Sequence, residues 1–275
     1  GETGCGKTTT GRMILGLEKP TEGRIFFEDV EITALPEKEM RRLRRKIQPI
    51  FQDPYASLNP RMKIGEAVKH PLEIHGIAEG EEARKMVLEM LEKVGLTPAE
   101  KFYNLYPKDL SGGQRQRVAI ARAMILKPEF VVADEPVSMV DVSLKAAILE
   151  LMLKFKEELG LTYLLITHDL AIARYVTDRI AIMYLGKIVE MGPADEVFEN
   201  PMHPYTRALI KAIPAPKPVK EKKIPIRGEV PPSPVDIPSG CRFHTRCPLA
   251  TEECKAKKPE LVKVGPDHYV ACLKV

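Results

Sequence analysis

No apolar run in the 275 residues approaches the roughly 18 consecutive positions that a spanning helix needs, so any role at a membrane has to pass through partners. Neither sign of charge dominates. Lys and Arg number 42 against 38 Asp and Glu, and the net +4 argues for neither nucleic acid nor a lipid surface. Internal repeats are absent. Cysteine is missing between Cys5 and Cys241 and then occurs four times, while 13 of the 24 prolines lie after Asn200. These two shifts set a boundary near Ile213. Residues 1–213 read as an α/β domain and residues 214–275 as a proline-rich linker followed by a small four-cysteine extension, with 214–238 extended and poor in regular structure. A chain that is 44% hydrophobic and 29% charged can bury one large core, or one core plus an appendage.

The chain opens on Gly1-Glu2-Thr3-Gly4-Cys5-Gly6-Lys7-Thr8, which fits G-x-x-x-x-G-K-[ST] at every fixed position. Such a loop needs glycines because its backbone N–H groups must curl around phosphate oxygens, and a helix must start at once so that its positive end faces the anion. Lys7 is placed to reach the outer phosphates and the Thr8 hydroxyl to hold magnesium. Cys5 is a spectator, since the loop works through backbone amides. A buried strand normally precedes this loop. The sequence is therefore read as a fragment lacking an N-terminal portion.

Downstream, a helix is expected over 9–17, a strand over Gly23–Phe27, and a mainly helical stretch over Ile64–Gly95 in which Val87, Leu88, Leu91 and Val94 form one apolar stripe. The runs Glu129–Ala133 and Thr162–Ile166 read as strands buried on both faces. Between them a helix carries Leu144, Ile148, Leu151, Met152, Phe155 and Leu159, with Ser143 as N-cap and Gly160 as its stop. Strand, helix, strand forces a parallel pair. Residues 180–184 and 187–191 flank Leu185-Gly186 as a hairpin, and His203–Ile213 reads as a closing helix.

Three further clusters bear on chemistry. Ser111-Gly112-Gly113-Gln114 opens a helical stretch running to Lys127 and makes a second anion site from a hydroxyl and two glycine amides. Asp134-Glu135 directly follows a buried strand, where open α/β sheets collect ligands; Asp134 suits a magnesium shell and Glu135 a general base for water. Thr167-His168-Asp169 ends the next strand at the same edge, with His168 aimed at the phosphate being cut.

The loop Gly1 to Thr8, Gln52, Leu110 to Gln114, Asp134-Glu135, Asp141 and His168 occur in the order and approximate spacing of an ABC transporter ATPase, and the resemblance covers residues 1 to about 213. It implies a P-loop NTPase fold of α/β class with a helical subdomain at about 53–127. It also implies ATP and Mg2+ as ligands: Gly1 through Thr9 on the nucleotide, Thr8, Gln52 and Asp134 on the metal, and Gln52 also on the attacking water. Ser111, Gly112, Gly113 and Gln114 would contact ATP held by a partner subunit, with Asp141 at that interface, so two half-sites per chain become whole in a two-fold dimer. The adenine-stacking aromatic of the family would precede Gly1. Val137–Asp141 has Met139-Val140 where many relatives carry Ala-Leu, which leaves Asp141 in place.

The tail Cys241-x5-Cys247-x6-Cys254-x17-Cys272 resembles the C-terminal extension of oligopeptide/dipeptide importer ATPases, and residues 51–60 and 203–207 resemble that subfamily as well. Its implications are two permease subunits, a homologous ATPase subunit, an extracytoplasmic solute-binding protein acting indirectly, no nucleic acid, and a place on the cytoplasmic face of the membrane. The four cysteines leave a 4Fe-4S cluster, zinc or free buried thiols open, with disulfides disfavoured in a reducing compartment. Two other functions compete: import of another small solute such as an oligosaccharide, and a soluble ABC-type ATPase. DNA-repair relatives insert long coiled coils and translation relatives carry two cassettes, whereas here about 100 residues separate Thr8 from Ser111.

Overall fold

The computed structural model describes residues 1–213, 226, 228 and 237–275; most of the linker expected over 214–238 lies outside the described residues. The chain divides into two compact units, Thr8–Ile166 and Gly1–Lys7 joined with Thr167–Val275.

Along the first unit run α1 (Lys7–Ile14, whose first residue belongs to the other unit), β1 (Phe26–Phe27), β2 (Val30–Glu31), α2 (Glu37–Leu43), β3 (Ile47–Ile50), α3 (Ile64–Ile74), α4 (Gly80–Lys93), α5 (Ala99–Tyr103), α6 (Gly112–Met124), β4 (Phe130–Asp134), α7 (Val142–Leu159) and β5 (Thr162–Ile166). Strands β3, β4 and β5 form a parallel sheet with β4 in the centre, Ile47 opposite Phe130 and Phe130 opposite Thr162. Val131, Val132 and Ala133 of β4 are at most 2% exposed, each valine contributing on the order of 1.5–3 kcal/mol by burial. Along β5, the last of the three strands described in this sheet, the expected burial on both faces is met at Ile166, while Tyr163, Leu164 and Leu165 are half-buried and Thr162 is exposed. The Gly23–Phe27 strand shrinks to two residues paired with Val30-Glu31 in a small hairpin.

Helices α3 to α6 pack on one another as the helical subdomain. The stripe on α4 is core at Val87, Leu91 and Val94, with Leu88 half-buried. Helix α7 is capped by Asp141 rather than Ser143, because the N–H groups of Leu144 and Lys145 already bond to the Asp141 carbonyl and Ser143 therefore lies inside the helix. It stops at Gly160, whose φ of 62° is a left-handed conformation that glycine adopts without strain.

In the second unit follow α8 (Leu170–Val176), β6 (Arg179–Tyr184), β7 (Lys187–Pro193), α9 (Ala194–Glu199), α10 (Pro204–Lys211), α11 (Glu252–Ala256), β8 (Val262–Gly265) and β9 (His268–Val270). The hairpin around Leu185-Gly186 forms as its apolar runs predict. Its sheet also takes in the tail: the order is β6-β7-β9-β8, all antiparallel. Ile182, Tyr184, Val189, Val197, Tyr205 and Phe243 make its core.

This unit buries polar groups by pairing them. The fully buried carboxylate of Glu190 accepts from the N–H groups of Met202 (2.7 Å) and His203 (2.9 Å) and lies 2.8 Å from Nε2 of the buried His268. His203 caps α10 through Nδ1, which accepts from the Tyr205 N–H at 3.1 Å and must therefore be unprotonated. Burial, with help from Arg207, lowers its pKa from 6.5 to about 4. Below pH 6.5 the unfolded chain takes up a proton that the native imidazole refuses. Stability is therefore lost as pH falls from 6.5 towards 4, on the order of 2–3 kcal/mol by pH 4.5. His203→Asn, which keeps a capping oxygen, should remove that portion of the slope in urea midpoints taken from pH 7 to 4.5; identical slopes in the two proteins would contradict the assignment.

Candidate nucleotide-binding site

Described within its own unit, the loop Gly1–Lys7 has the shape its glycines dictate. Gly4 and Gly6 stand at φ of 80° and 101°, where other residues are strained, and a Cβ on Gly1 would fall 2.1 Å from the Met183 carbonyl oxygen. Lys7 Nζ folds back to donate to the carbonyls of Gly1 (2.9 Å) and Glu2 (3.0 Å). The Gly186 N–H in the β6–β7 turn holds the Cys5 carbonyl at 2.8 Å, and the Glu2 N–H donates to the Tyr205 hydroxyl at 3.0 Å. Cys5 is buried against this support. His168, in the same unit, is exposed just before Asp169, whose carboxylate caps α8 through the N–H groups of Ala171 and Ile172.

The other unit holds a cavity of about 420 Å³ lined by Thr8, Gln52 and Asp134, with Arg12, Phe51 and Arg122 among their neighbours. Thr8 begins the free surface of α1, Gln52 follows β3, and Asp134 ends β4. All three offer hard oxygen donors of the kind magnesium prefers, so the residues present fit that ion. Glu135 follows at φ 46°, a strained position for a non-glycine residue, and is pinned by its own N–H to the Ile166 carbonyl (2.8 Å) and by its carbonyl to the Ser138 hydroxyl (3.0 Å). Gln52 Nε2 donates to Glu135 Oε2 at 3.1 Å. The metal-shell and base residues singled out in this unit thus come together.

Ser111–Gln114 do not line this cavity. Ser111 caps α6, its hydroxyl accepting from the Gln114 N–H (3.3 Å) while the Gln114 side chain accepts from the Ser111 N–H (2.9 Å). The start of α6 packs against the segment that carries Asp141: a Cβ on Gly113 would meet Leu144 at 2.8 Å. Ser111 and Asp141 are both exposed, whereas Gly113 is buried.

Of the readings left open for the four cysteines, a metal finds no support: among the described residues no group of three or more His, Cys, Asp or Glu side chains is placed to hold one. Burial, with a smaller contribution from the neighbouring sulfurs, raises the pKa of the Cys241, Cys247 and Cys272 thiols, whereas at Cys254 hydrogen bonds with Thr251 outweigh burial and lower it. The segment is held by backbone instead, the Cys241 N–H donating to the Cys254 carbonyl at 2.8 Å.

Residue-by-residue reading of the sequence missed two arginines in the cavity wall. Arg122 in α6 donates to the Ser57 carbonyl, tying the turn after Gln52 to the helical subdomain, and burial lowers its pKa. It is one of several arginines on that helix and no spacing sets it apart. Missed also was Arg246, whose partnership with Glu2 spans 244 positions.

The family described as ABC transporter matches residues 1–138, and the oligopeptide/dipeptide transporter C-terminal region matches residues 189–254. The chain is 47% identical to the oligopeptide transport ATP-binding protein AppF of Bacillus subtilis, over 99% of this chain and 83% of that protein. A putative peptide import ATP-binding protein of Brucella ovis is 47% identical over 100% and 86%. Among solved structures, the ATP-binding cassette MJ0796, captured as a post-hydrolysis dimer with ADP and Pi, is similar with a TM-score of 0.63 and 37% identity, covering 70% of this chain and 82% of that one. No helix among the described residues is long and apolar enough to cross a membrane. With a phosphate loop, a strand-end carboxylate pair, a serine-capped glycine helix and full-length relatives in agreement, the chain belongs to the ABC transporter ATP-binding proteins of the oligopeptide/dipeptide importer family.

Proposed function

We propose that this ATPase powers peptide import from the cytoplasmic face of the membrane, beneath two permease subunits and paired with a homologous ATPase. A solute-binding protein would deliver peptide from the far side. The observation that carries the site assignment is the cavity that unites Thr8, Gln52 and Asp134, with Gln52 bonded to Glu135. Backbone amides of Gly4–Lys7, the Lys7 ammonium and the Thr8–Thr9 start of α1 grip the phosphates. Magnesium, held by Thr8, Asp134 and Gln52, would neutralise phosphate charge. Glu135 takes the proton of the attacking water, Gln52 orients that water and His168 contacts the terminal phosphate. Because Ser111–Gln114 lie apart from the cavity lining, they are assigned to the nucleotide of the partner ATPase, with Asp141 beside them at the dimer interface. No metal at Cys241, Cys247, Cys254 and Cys272 enters this proposal.

Glu135→Gln keeps the hydrogen bond to Gln52 and removes the base. Steady-state ATP hydrolysis should fall by about 10²–10⁴-fold while ATP affinity stays within a few-fold; an unchanged rate refutes the role. Asp134→Asn removes one hard anionic ligand, so the Mg2+ concentration for half-maximal hydrolysis should rise by about tenfold or more. A magnesium titration identical to that of the unmodified protein would remove Asp134 from the metal shell.

A further inference from the structure

The phosphate loop of this chain contains an oddity of charge. Its second residue is glutamate, and an unshielded carboxylate beside a triphosphate repels it. The carboxylate does not stand alone. Arg246 grips it with a two-pronged contact, Nη1 to Oε2 at 2.9 Å and Nη2 to Oε1 at 3.3 Å. The arginine side chain is only 9% exposed, so the pair is little screened by solvent, and its guanidinium lies over the ring of Tyr184, 5.8 Å from the centroid.

The same short segment makes a second hold. Arg242 donates to the Leu185 carbonyl, and the next residue, Gly186, is the one whose N–H binds Cys5 of the loop. Between the two arginines, Phe243 is fully buried and packs edge-on against Tyr184 (5.2 Å between centroids) and against Tyr205 (5.4 Å), the residue whose hydroxyl binds the Glu2 N–H. Residues 242–246 lie between Cys241 and Cys247. The cysteine-flanked segment is therefore a brace under the phosphate loop, within the unit formed by Gly1–Lys7 and Thr167–Val275.

We infer that Arg246 is a positioning residue for ATP binding, which turns the Glu2 carboxylate away from the phosphates and cancels its charge. In this role it acts through Glu2. The inference rests on Gly1–Lys7 being the ATP cradle proposed above.

A charge-cancellation test separates this role from plain structural support. In the full-length protein assembled with its partner subunits, Arg246→Gln should weaken ATP binding and raise KM by about tenfold, with kcat at saturating ATP within about twofold of the parent. The double substitution E2Q/R246Q removes the carboxylate that the arginine offsets, and ATP affinity should return to nearly the parent value. The inference is overturned if Arg246→Gln binds ATP as the parent does, or if the double variant is as weak as Arg246→Gln alone. Should Arg246→Gln fail to fold, E2Q/R246M gives the same reading: parent-like affinity supports the inference and a tenfold loss overturns it. Lys7→Ala tests the underlying site, because unchanged ATP affinity in that variant refutes the cradle whatever Arg246 does.

Discussion

The parallel registration of β3 with β4 is the constraint on which the catalytic half of this protein depends. Ile50 sits opposite Ala133, so the two strand ends lie side by side: Gln52 two residues past β3, and Asp134 at the end of β4 followed by Glu135. Packing holds this register. A strand buried as deeply as β4 cannot slip without moving Val131, Val132 and Ala133 out of the core. Helix α1 is drawn to the same edge because Gly11 leaves room for Ile166 and Val132, which a Cβ there would meet at 2.8 and 3.2 Å. Thr8 thereby joins the cavity. Hydrophobic burial in the sheet becomes, within a few residues, the placement of the side chains proposed to hold magnesium and to act as base.

The other unit solves a different problem, that of carrying polar and charged groups in a small core. Glu190 is satisfied by two backbone N–H groups and His268, and Glu2 by Arg246. The Glu190–His268 and Glu2–Arg246 pairings join residues 78 and 244 positions apart. The tail strand β9 completes the sheet that begins with the β6–β7 hairpin, and the cysteine-flanked segment packs into the aromatic core of Tyr184 and Tyr205.

What could be read from the sequence follows from how local each signal is. The glycine loop, the serine cap with Gln114 three residues on, and the buried strand ending in two carboxylates are short-range patterns whose spacing fixes their geometry, and each folds as expected. Gly160 announces the end of α7 for the same reason. Which strands flank a given one is not a local property, so the partial exposure along β5 has no signal in its own apolar run. The β8–β9 pair had a signal in Gly265-Pro266-Asp267 between short apolar runs, but its pairing with β7 depends on sequence 70 or more residues away. Arg246 and Glu2 carry no marker of their partnership. The cysteine spacing left cluster, zinc and free thiols open, because spacing along the chain does not fix where the sulfur atoms lie in space.

The central claim is that the ATP site is shared: cradle, magnesium shell and base from one ATPase subunit, serine-led helix tip from the other. Sedimentation of the Glu135→Gln chain with its homologous ATPase subunit, with and without ATP, tests this most directly. The account predicts that ATP drives the two subunits into a stable pair and that Ser111→Arg in both prevents it. A complex whose mass is indifferent to ATP, or one that pairs equally well with arginine at position 111, would contradict it.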